Sequence, residues 1–198
     1  MMQRSTPRLP GAERRGLILE AAGELFGRGG YEGTRLEDIA RAAGVTKPIL
    51  YRHFDSKRAL YLALLERHRD DLSRFAAWPA AGRLEEQVRA ALDQWVDYVE
   101  EHSYAWKLLF RDSGGGAEIR RFRAEVNDRA RTVLAGLIGA FGQARIPESE
   151  RAPLAELMSM GMASLVLWWI DHPAVPRRVI VDAMTRVWVG ILDGATAP

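Results

Sequence analysis

The chain of 198 residues contains no cysteine, which excludes disulfide staples, zinc–thiolate centres and thiol nucleophiles. Long apolar runs are missing too. The longest uncharged stretch, Leu157 to Ile170, has 14 residues, short of the ~20 that cross a bilayer, and is expected to form a buried helix. Arg4, Arg8, Arg14 and Arg15 near the N-terminus are followed by no apolar segment, so this is not the pattern of a secretory signal. A cytoplasmic protein without a membrane partner is expected. Catalytic spacings are absent as well. Ser113-Gly114-Gly115-Gly116 has no Gly-Lys-Ser/Thr after it and no strand before it, so it reads as a loop rather than a phosphate cradle. His53, His68, His102 and His172 are scattered with no His-Glu-x-x-His pattern, and no nucleophile stands near a base. Acidic pairs such as Glu100-Glu101 read as solvated faces. No metal, no cofactor and no enzymatic reaction is expected.

The chain does have apolar residues enough for a core, 47% of the total, and an ordinary charged fraction of 27%. The net charge of +2 is unevenly spread: residues 1–80 hold 14 Lys+Arg against 10 Asp+Glu, and residues 81–198 hold 14 against 16. No region alternates with period two for long enough to make a strand. Apolar residues instead recur at helical spacing, which predicts an all-α protein of about nine helices.

The first of these spans residues 12–27, with Arg28-Gly29-Gly30 ending it. Thr34 and Glu37 have the capping-box spacing, so a second helix is expected from about Arg35 to Ala43, stopped by Gly44. Thr46 caps a third, with Pro48 in its first turn, where a missing N–H is harmless. Ser56 opens a fourth that runs towards Phe75. Ala77-Trp78-Pro79-Ala80-Ala81-Gly82 is the clearest break in the chain. Further helices are predicted over 84–101, 104–111, 117–144, 148–171 and 175–193. Three units follow: an N-terminal arm and helix-turn-helix (1–56), a connecting helix (57–80), and a C-terminal helical unit (81–198).

Two short helices around a glycine turn, followed by a basic helix start, form a device for reading DNA. The residues carrying it resemble the N-terminal domain of the tetracycline-repressor (TetR) family of bacterial transcription regulators. They are Ala22, Leu25-Phe26, Gly30-Tyr31, Thr34, Ile39-Ala40 and Ala43-Gly44-Val45. Lys47, Leu50-Tyr51, His53-Phe54, Lys57 and Leu60 complete the set. The resemblance covers positions 12–60, and Pro48-Ile49 depart from it where the family often has a small residue and a hydroxyl. It implies a homodimer in which a three-helix DNA-binding domain is joined by a fourth helix to a regulatory domain. Such a dimer binds a palindromic operator, usually as a repressor, and a small molecule in the regulatory domain spreads the DNA heads and releases it.

With Leu50 and Phe54 turned into the core, Thr46, Lys47, Pro48, Ile49, Arg52 and His53 are expected to face outward. Lys47 can donate to guanine, and Pro48 and Ile49 can meet a thymine methyl. Thr34, Tyr51 and Lys57 are expected at phosphates, and Arg35 at phosphate or base. A cation at Lys57 opposes its own helix dipole, which makes sense if an anion binds there. Arg4 and Arg8 read more simply as a tail than as minor-groove contacts.

In the second half, the helix over 148–171 is apolar all round and must be buried all round. A second copy of the chain is expected against Met160, Ala163, Leu167 and Ile170 and, from the last helix, Met184, Val187, Trp188 and Ile191. Trp95, Tyr98, Tyr104, Trp106, Phe110 and Phe122, with Met158 and Met162, are the candidate lining of a cavity for an apolar or aromatic effector. The expected function is a ligand-responsive homodimeric regulator, most simply a repressor. The alternative is a helical small-molecule-binding or interaction protein without sequence-specific DNA binding.

Overall fold

Ile18, Ala22 and Phe26 recur every four residues and are all fully buried, on one side of helix α1 (Gly11–Gly33). The structure, a computed structural model, describes residues 10–72, 82–142 and 146–193. Arg4, Arg8 and the expected break at 77–81 lie outside the described residues, as does the connecting helix beyond 72. Among the described residues there are nine α-helices and no strand. After α1 come α2 (Leu36–Ala42), α3 (Lys47–His53), α4 (Lys57–Leu72), α5 (Leu84–Glu101), α6 (Ser103–Trp106), α7 (Gly116–Gly142), α8 (Glu148–Asp171) and α9 (Arg177–Asp193).

Helix α1 runs past the predicted stop at Gly27. The break falls at Gly30, whose φ of 66° and ψ of 178° interrupt the helical path before one more turn; glycine takes this conformation without a Cβ clash. The turn between α2 and α3 closes as a Schellman motif. Gly44 has φ 65°, its N–H donates to Arg41 O, and the Val45 N–H donates to Ala40 O at 2.9 Å. The expected capping box is not formed. Thr34 is buried, and its hydroxyl turns back to carbonyls of α1, Gly30 O at 2.8 Å and Leu25 O at 3.1 Å. Thr46 is the N-cap of α3 by backbone position, without a side-chain cap. Ser56 does cap α4, its Oγ accepting from the Ala59 N–H at 3.0 Å.

Two apolar cores result. The first gathers α1 to α4 around Phe26, Leu50, Leu60, Tyr61 and Leu64, and it also takes in Leu108, Leu109, Ile119 and Val126 from the second half of the chain. The second joins α5, α7, α8 and α9 around Val96, Ile138, Val166, Ile180 and Trp188. Ion pairs brace it from outside: Arg177 of α9 to Asp97 of α5 at 2.7 Å, and Arg131 of α7 to Glu156 of α8 at 2.5 Å.

The segment 107–111 after α6 lies between the cores. It was expected as one helix over 104–111; instead, α6 passes into a π-helical turn, Lys107–Arg111, closed by the Asp112 N–H donating to Lys107 O at 2.8 Å. Wide turns of this kind recur at functional positions.

Helix α8 is not buried all round. Leu157 is 67% exposed, and Met160 and Trp168 share its open side; Val179 and Val187 are open on α9. This corrects the expected interface. Ala163, Met184 and Trp188 are buried within the chain, because the small or inward-turned side of each helix packs on α5 and α7. Met160 and Val187 stay outside, and Leu167, Ile170 and Ile191 are half-buried against the second core. By length and composition, the 24 residues of α8 would suffice to cross a membrane, which the 14-residue run did not suggest. Only 28% of its apolar window is buried, so a large apolar face of α8 lies open.

Candidate nucleic-acid interface and effector cavity

Helix α3 presents a sharply two-sided surface. Leu50 and Phe54 are buried, while Thr46, Lys47, Pro48, Tyr51 and Arg52 are exposed. Ile49 and His53 were expected outside but are half-buried, since they flank the inward edge defined by Leu50 and Phe54. The His53 Nε2 is buried without a hydrogen-bond partner among the described residues. Burial first, then the cations of Arg52, Arg14 and Arg15, hold its pKa below the usual imidazole value, so it is neutral at pH 7. Those same charges mark a group missed in the sequence. Arg14 and Arg15 lie in the first turns of α1 yet stand beside the end of α3, with the Arg15 guanidinium 4.9 Å from the Phe54 ring. Cations at a helix start, unfavourable for the dipole, were the available signal.

Lys47 does not extend freely. Its Nζ donates to the Glu37 carboxylate of α2 and lies 5.9 Å from the centre of the Tyr51 ring. The Glu37 hydrogen bond raises the Lys47 pKa, and the Lys47 hydrogen bond lowers that of Glu37. Both side chains are about half exposed, so the pair is exchangeable with solvent or with a base edge. Lys57 Nζ donates to Glu32 O at 3.2 Å and sits 4.7 Å over the Tyr31 ring, at the joint between α1 and α2. Arg35, at the N-cap of α2, is exposed. Thr34 is the clear correction: burial and the bonds to α1 remove its hydroxyl from any phosphate.

A partly open cavity of about 220 Å³ lies among the helices of the second half. Its walls are Leu92 and Trp95 of α5, Trp106 of α6 and Phe110 of the π turn, Val126 to Leu137 along α7, Ser159, Met162 and Ala163 of α8, and Trp188 of α9. Arg69 of α4 and the exposed Arg129 add cations to an otherwise apolar lining. Of the expected lining, Trp95, Trp106, Phe110 and Met162 are brought together; Trp95 and Trp106 meet edge to face at 5.1 Å, and Trp106 stacks on Phe110 at 5.0 Å. Four others are elsewhere. Tyr98 faces α4, where its hydroxyl and His68 Nδ1 share a hydrogen bond of 2.6 Å. Tyr104 fills the space over Gly23 and Gly27 of α1, where any Cβ would stand 2.4–2.5 Å from its atoms. Phe122 packs on the first core with the Arg69 guanidinium 5.3 Å from its ring. Met158 is buried one helical position away from the cavity wall. Ala163 and Trp188, expected between subunits, line the cavity instead.

A buried polar knot ties this cavity region to α1 and α4. Asp112 accepts from the Tyr31 N–H, the Tyr61 hydroxyl and the Gly114 N–H, each at 2.9 Å. Arg123, buried on α7, stands 3.3 Å from Asp112 and donates to Leu108 O at 2.8 Å and to the Tyr61 hydroxyl at 2.5 Å. Burial pushes the Asp112 carboxyl up, but the Gly114 N–H, the Tyr61 hydroxyl, the Tyr31 N–H and Arg123 outweigh it and hold the group below its usual value. The knot therefore stays charged and paired at neutral pH.

Comparison with known proteins agrees with this architecture. Residues 18–64 match the family of bacterial regulatory proteins, tetR family. The HTH-type transcriptional activator FasR of Mycolicibacterium smegmatis is 42% identical over 107 residues, 53% of this chain and 49% of FasR; the chain spans about half the length of that relative. A tetR-family transcriptional regulator from Streptomyces coelicolor superimposes with TM-score 0.74 at 23% identity, over 92% of this chain and 82% of that one. AibR, solved with isovaleryl coenzyme A and operator DNA, superimposes with TM-score 0.66 at 24% identity, over 91% and 98% of the two chains. Residues 18–64 thus match the family of bacterial regulatory proteins, tetR family, in sequence, and the helical fold is shared over 92% of the chain with the Streptomyces coelicolor regulator.

Proposed function

We propose that the chain is a ligand-responsive transcription regulator that binds a palindromic operator as a homodimer and leaves it when an apolar or aromatic effector enters the cavity. Residues 1–56 are the reading head, 57–80 the connector and 81–198 the regulatory unit. Thr46, Lys47, Pro48 and Ile49 meet base edges, while Arg35, Tyr51, Arg52, Lys57 and the α1 arginines meet phosphates. The open apolar faces of α8 and α9 pair with those of a second copy, which sets the half-site spacing.

The observation that carries the reading is the double role of residues 106–112. Trp106 and Phe110 line the cavity, whereas Leu108, Leu109 and Asp112 on the same turn pack against or bond to the DNA-binding side. An effector that wedges Trp106 and Phe110 apart moves Asp112 and, through it, Tyr31 next to Lys57. The effector needs only to prefer the head spacing that does not fit DNA, by a few kcal/mol, to empty the operator. Whether release switches transcription off or on follows from where the operator lies relative to the promoter.

The cavity fits a short acyl chain or an aromatic ring. At about 220 Å³ it is smaller than the ~300–1,000 Å³ of drug-sized sites, so a longer ligand must displace its lining. Arg69 and Arg129 suit an acidic or phosphorylated end. The Trp106 indole N–H, buried without a partner among the described residues, suits a ligand carbonyl. Acyl thioesters join all three features. Selection from a random DNA pool at physiological salt is expected to recover a palindrome, and acyl-CoA of increasing chain length is expected to release it. Salt-sensitive binding without sequence preference would refute the operator-reading role; a recovered operator that no acyl or aromatic compound releases would refute the effector class.

A further inference from the structure

The histidines that looked scattered are not all apart. His68 of α4 and His102, at the joint of α5 and α6, face each other with ring centroids 5.3 Å apart, and Asp71 lies one turn beyond His68 on the same side of α4. We propose that His68, Asp71 and His102 bind one divalent transition-metal ion, zinc being the ion their chemistry fits best. Each offers a donor atom within 4.8 Å of the other two. Tetrahedral zinc with bonds of about 2.0–2.2 Å holds its donors about 3.3–3.6 Å apart, so side-chain rotations draw the set together on the ion. Two imidazoles and a carboxylate suit zinc and its neighbours rather than calcium or magnesium.

The buried nitrogens are the independent observation. His68 is fully buried, and its Nε2 has no hydrogen-bond partner among the described residues; nor has the His102 Nδ1. A buried nitrogen without a partner is unfavourable, and a bound ion removes that cost for both at once. The supporting contacts are those that metal-bound histidines use. Tyr98 shares the 2.6 Å hydrogen bond with His68 Nδ1, which leaves Nε2 for the ion, and the Tyr98 ring stacks on His102 at 4.5 Å. The ion would pin the connecting helix to the α5–α6 corner. Tyr104, whose ring lies 5.1 Å from His68, carries that corner against α1, so occupancy of the site stiffens the joint between the cavity region and the reading head.

The test uses tag-free full-length protein freed of metal with a chelator, and it stands whether or not the chain reads an operator. Co²⁺ titration is expected to give the visible absorption of a site with nitrogen and oxygen ligands, at one ion per chain, and Zn²⁺ is expected to displace it. Zn²⁺ at about 100 times its Kd is expected to raise the Tm by about 5–10 °C. His102→Ala and Asp71→Asn should each lose Co²⁺ affinity at least tenfold; both residues are half-buried, so these changes leave the core filled. Absence of the Co²⁺ absorption, or affinity unchanged in either variant, overturns the proposal.

Discussion

The backbone N–H of Tyr31 donates to the Asp112 carboxylate at 2.9 Å across 81 residues of sequence. One end of this bond lies where α1 turns towards α2 and α3, and the other on the turn that walls the cavity. Asp112 and Arg123 are both nearly buried, at 13% and 8% side-chain exposure. Asp112→Ala leaves a buried guanidinium unpaired, a change that costs about 3 kcal/mol. At temperatures where the variant remains folded, we expect effector to bind with near-normal affinity but to release operator less effectively. Denaturant unfolding and fluorescence anisotropy on labelled operator separate the two effects.

The same carboxylate makes stability depend on acidity. Its folded pKa lies below the ordinary 3.8, so its contribution is fully present above that value and is lost as pH falls through the lower, folded one. Asp112→Asn lacks this term. Its stability should therefore fall less steeply than that of the parent below about pH 4, as read by denaturant midpoints across the acid range.

Glu37 and Lys47 make a second testable pair. Lys47→Ala should relax preference at one base pair at a cost of about 1–3 kcal/mol, and Lys57→Ala should weaken all sequences alike with a salt slope reduced by about 1. Glu37→Gln frees Lys47 and removes an anion from the interface, so binding to every sequence should tighten. Unchanged base preference in Lys47→Ala would remove that residue from the readers.

The open face of α8 and α9 should be self-complementary. Leu157→Glu or Val187→Glu places a charge there without touching either core. Sedimentation should show monomers, with operator affinity reduced by ~100-fold or more as the linked second half-site is lost. Trp188→Ala, buried behind that face, should instead destabilise the chain by about 3–5 kcal/mol. Dimers surviving the two Glu variants would place the interface elsewhere.

Filling the cavity separates effector binding from DNA binding. Met162 is half-buried on its wall, and Met162→Trp occupies the space a ligand would take. Operator affinity should stay within a few-fold of the parent, while thermal shifts with acyl or aromatic compounds disappear. Retained shifts would locate the ligand outside this cavity.

Much of the architecture was legible in the chain because helices are local. The four-residue spacing of Ile18, Ala22 and Phe26, the glycine at 44 and the serine at 56 each act within a few residues. Most of the outward side of α3, though not Ile49 and His53, followed from the inward side, set by Leu50 and Phe54. Distances through space were not legible in this way. Thr34 and Glu37 have the spacing of a capping box, yet the threonine hydroxyl found carbonyls of α1 and the glutamate found Lys47. Tyr98 and Tyr104 are as aromatic as Trp95 and Trp106, but their polar atoms and shapes match α4 and α1 rather than the cavity.

The sequence alone therefore determined the helices and the turns between them, since periodicity, caps and turn glycines are properties of neighbouring residues, and it carried the family resemblance of the first helices. The tertiary structure decided which side of an all-apolar helix stays open, which aromatics share a cavity, and that Asp112 meets Tyr31 and His68 meets His102. Those outcomes depend on how helices pack against one another, where a few ångströms of relative position outweigh any preference written along the chain.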